Sequence, residues 1–234
     1  MLLIHGAGGT SSKWRRLLPY LRDVPYQTID LPGHGQNSGK PHENSIEEMA
    51  RQIKISLAGK IIAVGHSMGG LIALELAHQY QDTVGVVLLA SHYRVPVHSR
   101  IFEQLEQGIF PESLFKASYA PDVDPQLLAE EREELGINSM EVIKADFLAV
   151  NSYNNGETAL RNLRVPLLVI YGSEDRLLVP DAQREILRCH PRAEVITIEG
   201  SGHYPQLERP AETAAALLKF RQYLQEAVSE SRSD

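Results

Sequence analysis

The chain has 234 residues, 43% of them apolar and 23% charged, and 23 Lys and Arg against 30 Asp and Glu give a formal net charge of -7. That length suits one large domain or a core with an insertion, and the acidic balance argues against nucleic acid or an anionic membrane surface as the main partner. The lone cysteine, Cys189, excludes an intrachain disulfide and a cysteine metal centre, and no apolar run reaches the eighteen residues expected of a membrane span. Charge falls too early in residues 1–20 for a secretory signal, so a cytoplasmic protein without membrane insertion is expected.

In chain order, Met1 to His5 reads as an apolar strand. Ser11 or Ser12 is placed to cap a helix carrying Trp14, Leu17, Leu18 and Leu21 at helical spacing. Tyr26 to Ile29 reads as the next strand, ending in the turn Asp30-Leu31-Pro32-Gly33-His34-Gly35. Ser45 and Glu48 make a capping box for a helix with Ile46, Met49, Ala50, Ile53 and Leu57 on one face. A buried strand from Ile61 to Val64, a helix around Leu71 to Ala77 and a strand from Val84 to Ala90 follow. From 91 to 164 only helical patterns occur, punctuated by Pro111, Pro121 and Pro125. The alternation resumes with a strand from Leu167 to Tyr171, a helix after Pro180, a strand from Val195 to Ile198 and a helix over 211–228; the polar tail at 229–234 is expected to fray. The pattern predicts an α/β fold: a doubly wound, mostly parallel sheet of about six strands with helices on both faces. The core spans 1–90 and 165–234, and 91–164 is a helical insertion.

Between the strand at 61–64 and the helix at 71–77 lies Gly65-His66-Ser67-Met68-Gly69-Gly70. Gly65, Gly69 and Gly70 allow a turn so tight that helix and strand nearly collide, which leaves Ser67 at its apex. The five residues fit the G-x-S-x-G nucleophile elbow, although a turn that merely contains a serine would look the same. A serine nucleophile needs a base and an acid that orients the base. Both are available after later strands, in the required order: Asp175 in "YGSEDRLLVP" and His203 in "EGSGHYPQLERP". Glu174 competes with Asp175 for the acid role.

A rival reading attaches to "HGAGGTSS", where Gly6 and Gly8 follow a strand and Asp30 ends the next, half of a dinucleotide fingerprint. Its third position falls on Ser11, and the phosphate-loop pattern fails because Ser12 precedes Lys13. No cofactor is therefore expected. No His/Asp set has metal-ligand spacing, so no metal is expected either. Asp30 and His34 read as turn formers, His5 as packed beneath the glycine loop, His66 and Cys189 as structural, and Asp181 as a first-turn acid.

Taken together, "HGAGG", "DLPGHG", "GHSMGG", "GSEDRLLVP" and "GSGHYPQLERP" resemble the successive landmarks of the α/β-hydrolase superfamily over nearly the whole chain. The resemblance implies Ser67 as nucleophile, His203 as general base and acid, and Asp175 as the residue that orients it. The backbone N–H groups of Ala7 and Met68 would form the oxyanion hole, and 91–164 would be the lid. The family usually places an antiparallel strand pair before the strand ending in "HG"; this sequence begins at that strand, as a reduced member or from a late start. Six strands rather than eight are thus expected, with Tyr26 to Ile29 at an edge. The implied reaction is hydrolysis of small-molecule carboxylic esters through an acyl-enzyme. The same triad also serves carbon–carbon hydrolases, lyases and acyl thioesterases, and a non-catalytic small-molecule receptor is the remote alternative. Residues 91–164 hold twelve Asp or Glu against seven Lys or Arg, which disfavours an acidic carrier-protein substrate. Phe102, Leu105, Ile109, Phe110, Leu114, Phe115, Tyr119, Phe147 and Leu148 are the candidate pocket walls, most of them core of the insertion itself. The alcohol, the acyl group and the oligomeric state stay open.

Overall fold

The computed structural model describes residues 1–230. Six strands, β1 (Leu2–Ile4), β2 (Gln27–Ile29), β3 (Ile61–His66), β4 (Thr83–Leu89), β5 (Leu167–Gly172) and β6 (Glu194–Ile198), form one sheet in the order β2-β1-β3-β4-β5-β6. Every pairing is parallel. The helices are α1 (Ile46–Ile55), α2 (Met68–Gln79), α3 (Ser99–Glu106), α4 (Glu112–Ala117), α5 (Pro125–Glu134), α6 (Met140–Ser152), α7 (Gly156–Arg161), α8 (Ala182–Cys189), α9 (Pro205–Glu208) and α10 (Pro210–Glu230).

The near-continuous apolar strands are explained by burial on both faces. Leu2, Ile4, Ala63, Val86, Leu88, Leu167 and Val169 face the layer of α1, α2, α7 and α8. Their alternates Leu3, Val64, Val87, Leu89, Leu168 and Ile170 face Trp14, Leu17 and the α10 residues Ala214, Leu217 and Phe220. Each fully buried Leu or Ile contributes roughly 1.5–3 kcal/mol, so the two layers supply most of the driving force for folding. Strand β2 pairs with β1 alone and is half exposed, the expected edge.

Four local expectations are corrected. The segment after β1 is not one α-helix but two 3-10 turns, Ser11–Trp14 and Leu18–Tyr20, with Pro19 interrupting any longer ladder. Its cap is Thr10, whose hydroxyl accepts from Ser12 N, rather than either serine. The capping box at α1 is half formed: Ser45 Oγ accepts from Glu48 N at 3.2 Å, but the Glu48 carboxylate turns forward to Arg51. Of the expected tail, positions 229–230 extend α10, while 231–234 lie outside the described residues.

Between β4 and β5 the chain leaves the sheet, forms α3 to α7 and returns. Helix α7 packs on α2 and contributes Ala159 and Leu160 to the core, the place of a crossover helix. The two ends of the excursion meet: a Cβ on Gly156 would lie 1.8 Å from the carbonyl oxygen of Tyr93.

Candidate active site

The turn joining β3 to α2 is as tight as its glycines imply. A Cβ on Gly65 would fall 1.9 Å from Gly69 O, and one on Gly69 would fall 2.3 Å from Ile4 O. Ser67 is held at φ 51°, ψ -118°, a conformation that costs a non-glycine residue on the order of 1–3 kcal/mol and persists only where the surroundings impose it. Those surroundings are Leu89 O, which accepts from Ser67 N at 3.0 Å, and Ser91 Oγ, which donates to Ser67 O at 2.7 Å. The Ser91 contact follows from the chain path of β4 and has no signal in the sequence.

Across the same cavity stands His203. Its Nδ1 donates to Asp175 Oδ2 at 2.8 Å, and both side chains are almost wholly buried. Asp175 is steadied by Leu177 N, which donates to Oδ1 at 2.9 Å. The loop bearing His203 is fixed at several points. His203 N donates to Ser118 O, and His66 Nε2 donates to His203 O, each at 2.8 Å. The Glu208 carboxylate accepts from the N–H groups of Gly202, Tyr204 and Ala120. Burial pushes the Glu208 pKa upward despite those three donors. His66, buried with Nδ1 unpartnered, is held well below the ordinary 6.5 by burial and by His203, as suits a structural neutral ring.

Gly6 packs edge-on to the serine, a Cβ there lying 3.1 Å from Ser67 Cβ. Of the two glycines of the rival dinucleotide reading, Gly6 thus brings the loop after β1 against Ser67, while Gly8 faces the side chain of Ile143. The N–H groups of Ala7 and Met68 donate to no acceptor among the described residues. Ala7, Ser67 and His203 line a cavity of about 260 Å³ walled by Val95, Val97, Ile101, Phe110, Leu114 and Phe147. Three of the nine expected wall residues reach it, Phe110, Leu114 and Phe147; Leu105, Phe115 and Tyr119 are buried, Phe102 is half-buried, and Ile109 and Leu148 are exposed. Val95, Val97 and Ile101 lay outside the expectation: the stretch carrying Val95 and Val97 has no helical period to mark it, and Ile101 sits in the first turn of α3.

His5 packs beneath the glycine loop as expected, but His34 does more than form a turn. His5 Nε2 accepts from Leu31 N at 3.1 Å, so Nδ1 donates to Gly6 O at 2.8 Å; burial, aided by His34, pushes its pKa down to about 4. His34 Nδ1 donates to Pro32 O, and its Nε2 donates to Asp146 Oδ2 at 2.8 Å. Burial alone would lower the His34 pKa, but the Asp146 carboxylate outweighs it and the pKa stands above 6.5. His42 Nε2 donates to the other oxygen of Asp146, again at 2.8 Å. His34, His42 and Asp146 bring their ligand-type atoms within 4.8 Å of one another, a grouping that sequence spacing did not reveal. Asp146 already takes both rings at 2.8 Å, so the group stands as a histidine–carboxylate cluster, with His42 Nδ1 buried and without a hydrogen-bond partner among the described residues.

A second charged cluster joins the helical excursion to the core. Glu131 on α5, fully buried, takes Lys13, Arg15 and the Tyr119 hydroxyl. Burial would raise its pKa, but the Lys13 charge and the hydrogen bonds hold it below 4.5.

The model of the alpha/beta hydrolase family matches residues 1–216. The chain is 26% identical over 252 residues to Lipase 1 of Psychrobacter immobilis, covering 96% of this chain and 77% of that one. It is also 26% identical to the biotin biosynthesis bifunctional protein BioHC of Teredinibacter turnerae, covering 94% of this chain but spanning only 44% of that relative's length. Among solved structures, a thermophilic esterase superposes with a TM-score of 0.82 at 26% identity, covering 95% of this chain and 89% of the other.

Proposed function

Because the chain belongs to the alpha/beta hydrolase family, we propose that it hydrolyses carboxylic esters of small molecules through an acyl-enzyme. One observation carries the reading: a buried Asp175–His203 pair at 2.8 Å faces the cavity in which a strained turn presents Ser67. His203 Nε2 takes the Ser67 proton as Oγ attacks the ester carbonyl, and Asp175 stabilises the imidazolium that results. The carbonyl oxygen, now an anion, accepts from the N–H groups of Ala7 and Met68, which have no competing acceptor to give up. Collapse breaks the bond to the alcohol, and His203 returns the proton to that leaving oxygen. Water then repeats the sequence on the acyl-serine, releasing the acid and restoring Ser67. The apolar walls favour an aliphatic acyl group, and the excursion over 91–164 serves as the lid that closes this pocket. Similarity to a lipase and to an esterase supports an ester substrate over a carbon–carbon bond. No described helix is long and apolar enough to cross a membrane.

A serine-directed fluorophosphonate tests the assignment. One label per chain is expected, located at Ser67 by peptide mass spectrometry, with matching loss of hydrolysis of short and medium acyl p-nitrophenyl esters. Labelling elsewhere, or none on folded protein, overturns the reading.

A further inference from the structure

We propose that Asp146 is a positioning residue for the oxyanion loop, acting from the helical excursion on the peptide that follows Ala7. The inference rests on the reading of Ser67 as an acyl-transfer nucleophile. The loop Gly6-Ala7-Gly8-Gly9 has little stiffness of its own, since three of its four residues are glycine. It closes as a turn: Gly9 N donates to Gly6 O at 3.0 Å, and Gly8 has φ +64° while Ala7 stays in the ordinary negative range. That is the pattern of a type II turn, whose central peptide, Ala7–Gly8, is the one that rotates when such a turn converts to type I.

The restraint on that peptide comes from 138 residues away. Asp146 Oδ2, on α6, accepts from Gly8 N at 2.7 Å. Asn138, just before α6, donates from Nδ2 to the carbonyl oxygens of Gly8 and Gly9, each at 2.9 Å. Gly8 is thereby gripped at its N–H and at its C=O, both times by side chains of the excursion. A neutral acceptor would hold less firmly than a carboxylate, whose hydrogen bonds are shorter and roughly twice as strong. Keeping a fully buried carboxylate ionised requires compensation, and the 2.8 Å bonds from His34 and His42 provide it. The histidine–carboxylate cluster is thus a charged anchor whose working bond is the one to the loop. Stabilisation of an oxyanion depends on donors that are aimed before the reaction begins, and Ala7 N–H is aimed by this turn.

The test is a split between ground-state and transition-state binding. Removing a whole oxyanion donor costs about 100- to 1,000-fold in kcat, so loosening one is expected to cost about 10- to 100-fold. Asp146→Ala should lower kcat by that factor while KM for a p-nitrophenyl ester stays within about twofold. A trifluoromethyl ketone, which adds to Ser67 and places an oxyanion in the hole, should lose affinity in proportion to kcat/KM. If circular dichroism shows Asp146→Ala unfolded, Asn138→Ala, which frees the carbonyl side of the loop together with Gly35 N, carries the same expectation. Unchanged kcat, a loss confined to KM, or unchanged ketone affinity overturns the proposal. A wild-type enzyme that the ketone does not inhibit at all overturns the nucleophile reading instead, so the two failures are distinguishable.

Discussion

Exchanging Asp175 for Asn keeps the shape of the group beside His203 Nδ1 and removes its charge. The amide also offers a donor where the ring needs an acceptor, so the imidazole is held in the wrong tautomer. A change of this kind in a serine triad costs roughly four orders of magnitude in turnover, about 5 kcal/mol of transition-state stabilisation. Glu174 sits one residue earlier, but its side chain is exposed and its backbone N donates to Ser201 O. Glu174→Gln should therefore cost less than about tenfold, as removal of a solvated carboxylate does. Steady-state rates of both variants, with circular dichroism as a fold check, decide between them; a dead Glu174→Gln with an active Asp175→Asn reverses the assignment. Loop position alone favours Asp175 over its neighbour only through family resemblance. The structure adds a physical criterion, the direction in which each carboxylate leaves the loop.

At the scale of elements, the turn between β3 and α2 is where backbone meets backbone, so nothing flexible can yield to an added methyl. Gly65→Ala is expected to destabilise the fold by at least about 3 kcal/mol, read as a drop in the urea midpoint. Gly39 has open space around it and no positive φ, and Gly39→Ala should be neutral or slightly stabilising. Equal midpoints for the two variants would contradict the collision at Gly65. This turn was legible in the sequence because its constraint is local: small residues recur wherever strand and helix touch. The central strands were legible for a similar reason, burial on both faces producing unbroken runs such as Val86 to Leu89. The segment after β1 was misread because the spacing of Trp14, Leu17 and Leu21 suits an α-helix or a pair of 3-10 turns equally, and Pro19 decides. Asp146 carried no signal at all. Its partners Gly8, His34 and His42 lie more than a hundred residues away, and an acid within a helical pattern looks like one more solvated charge.

The whole molecule carries a pH dependence set by its buried rings. Burial pushes His5 and His92 to about 4 and His66 well below 6.5. The unfolded chain takes protons at these positions near 6.5 while the folded chain refuses them, so stability falls as pH drops from 6.5 toward 4. Each ring contributes up to about 1.4 kcal/mol per pH unit across its window. His34 works the opposite way: its raised pKa gives stability that is present below 6.5 and lost as pH rises through the folded value. Glu208, raised by burial, also favours the folded state as pH falls, but it stands against His5, His66, His92 and His190, the last also lowered by burial. The urea midpoint should therefore be lower at pH 5 than at pH 7, and an equal or higher midpoint at pH 5 would contradict this account. The contact of Gly156 with Tyr93 has a consequence for how such a chain diversifies. An excursion whose two ends touch can lengthen, shorten or be exchanged like a cassette, with no change in the register of β4 against β5. What a transplanted cassette must bring with it is its anchors, an acid to meet Lys13 and Arg15 and another to reach Gly8, so inheritance of the core constrains only a few positions of an otherwise free segment.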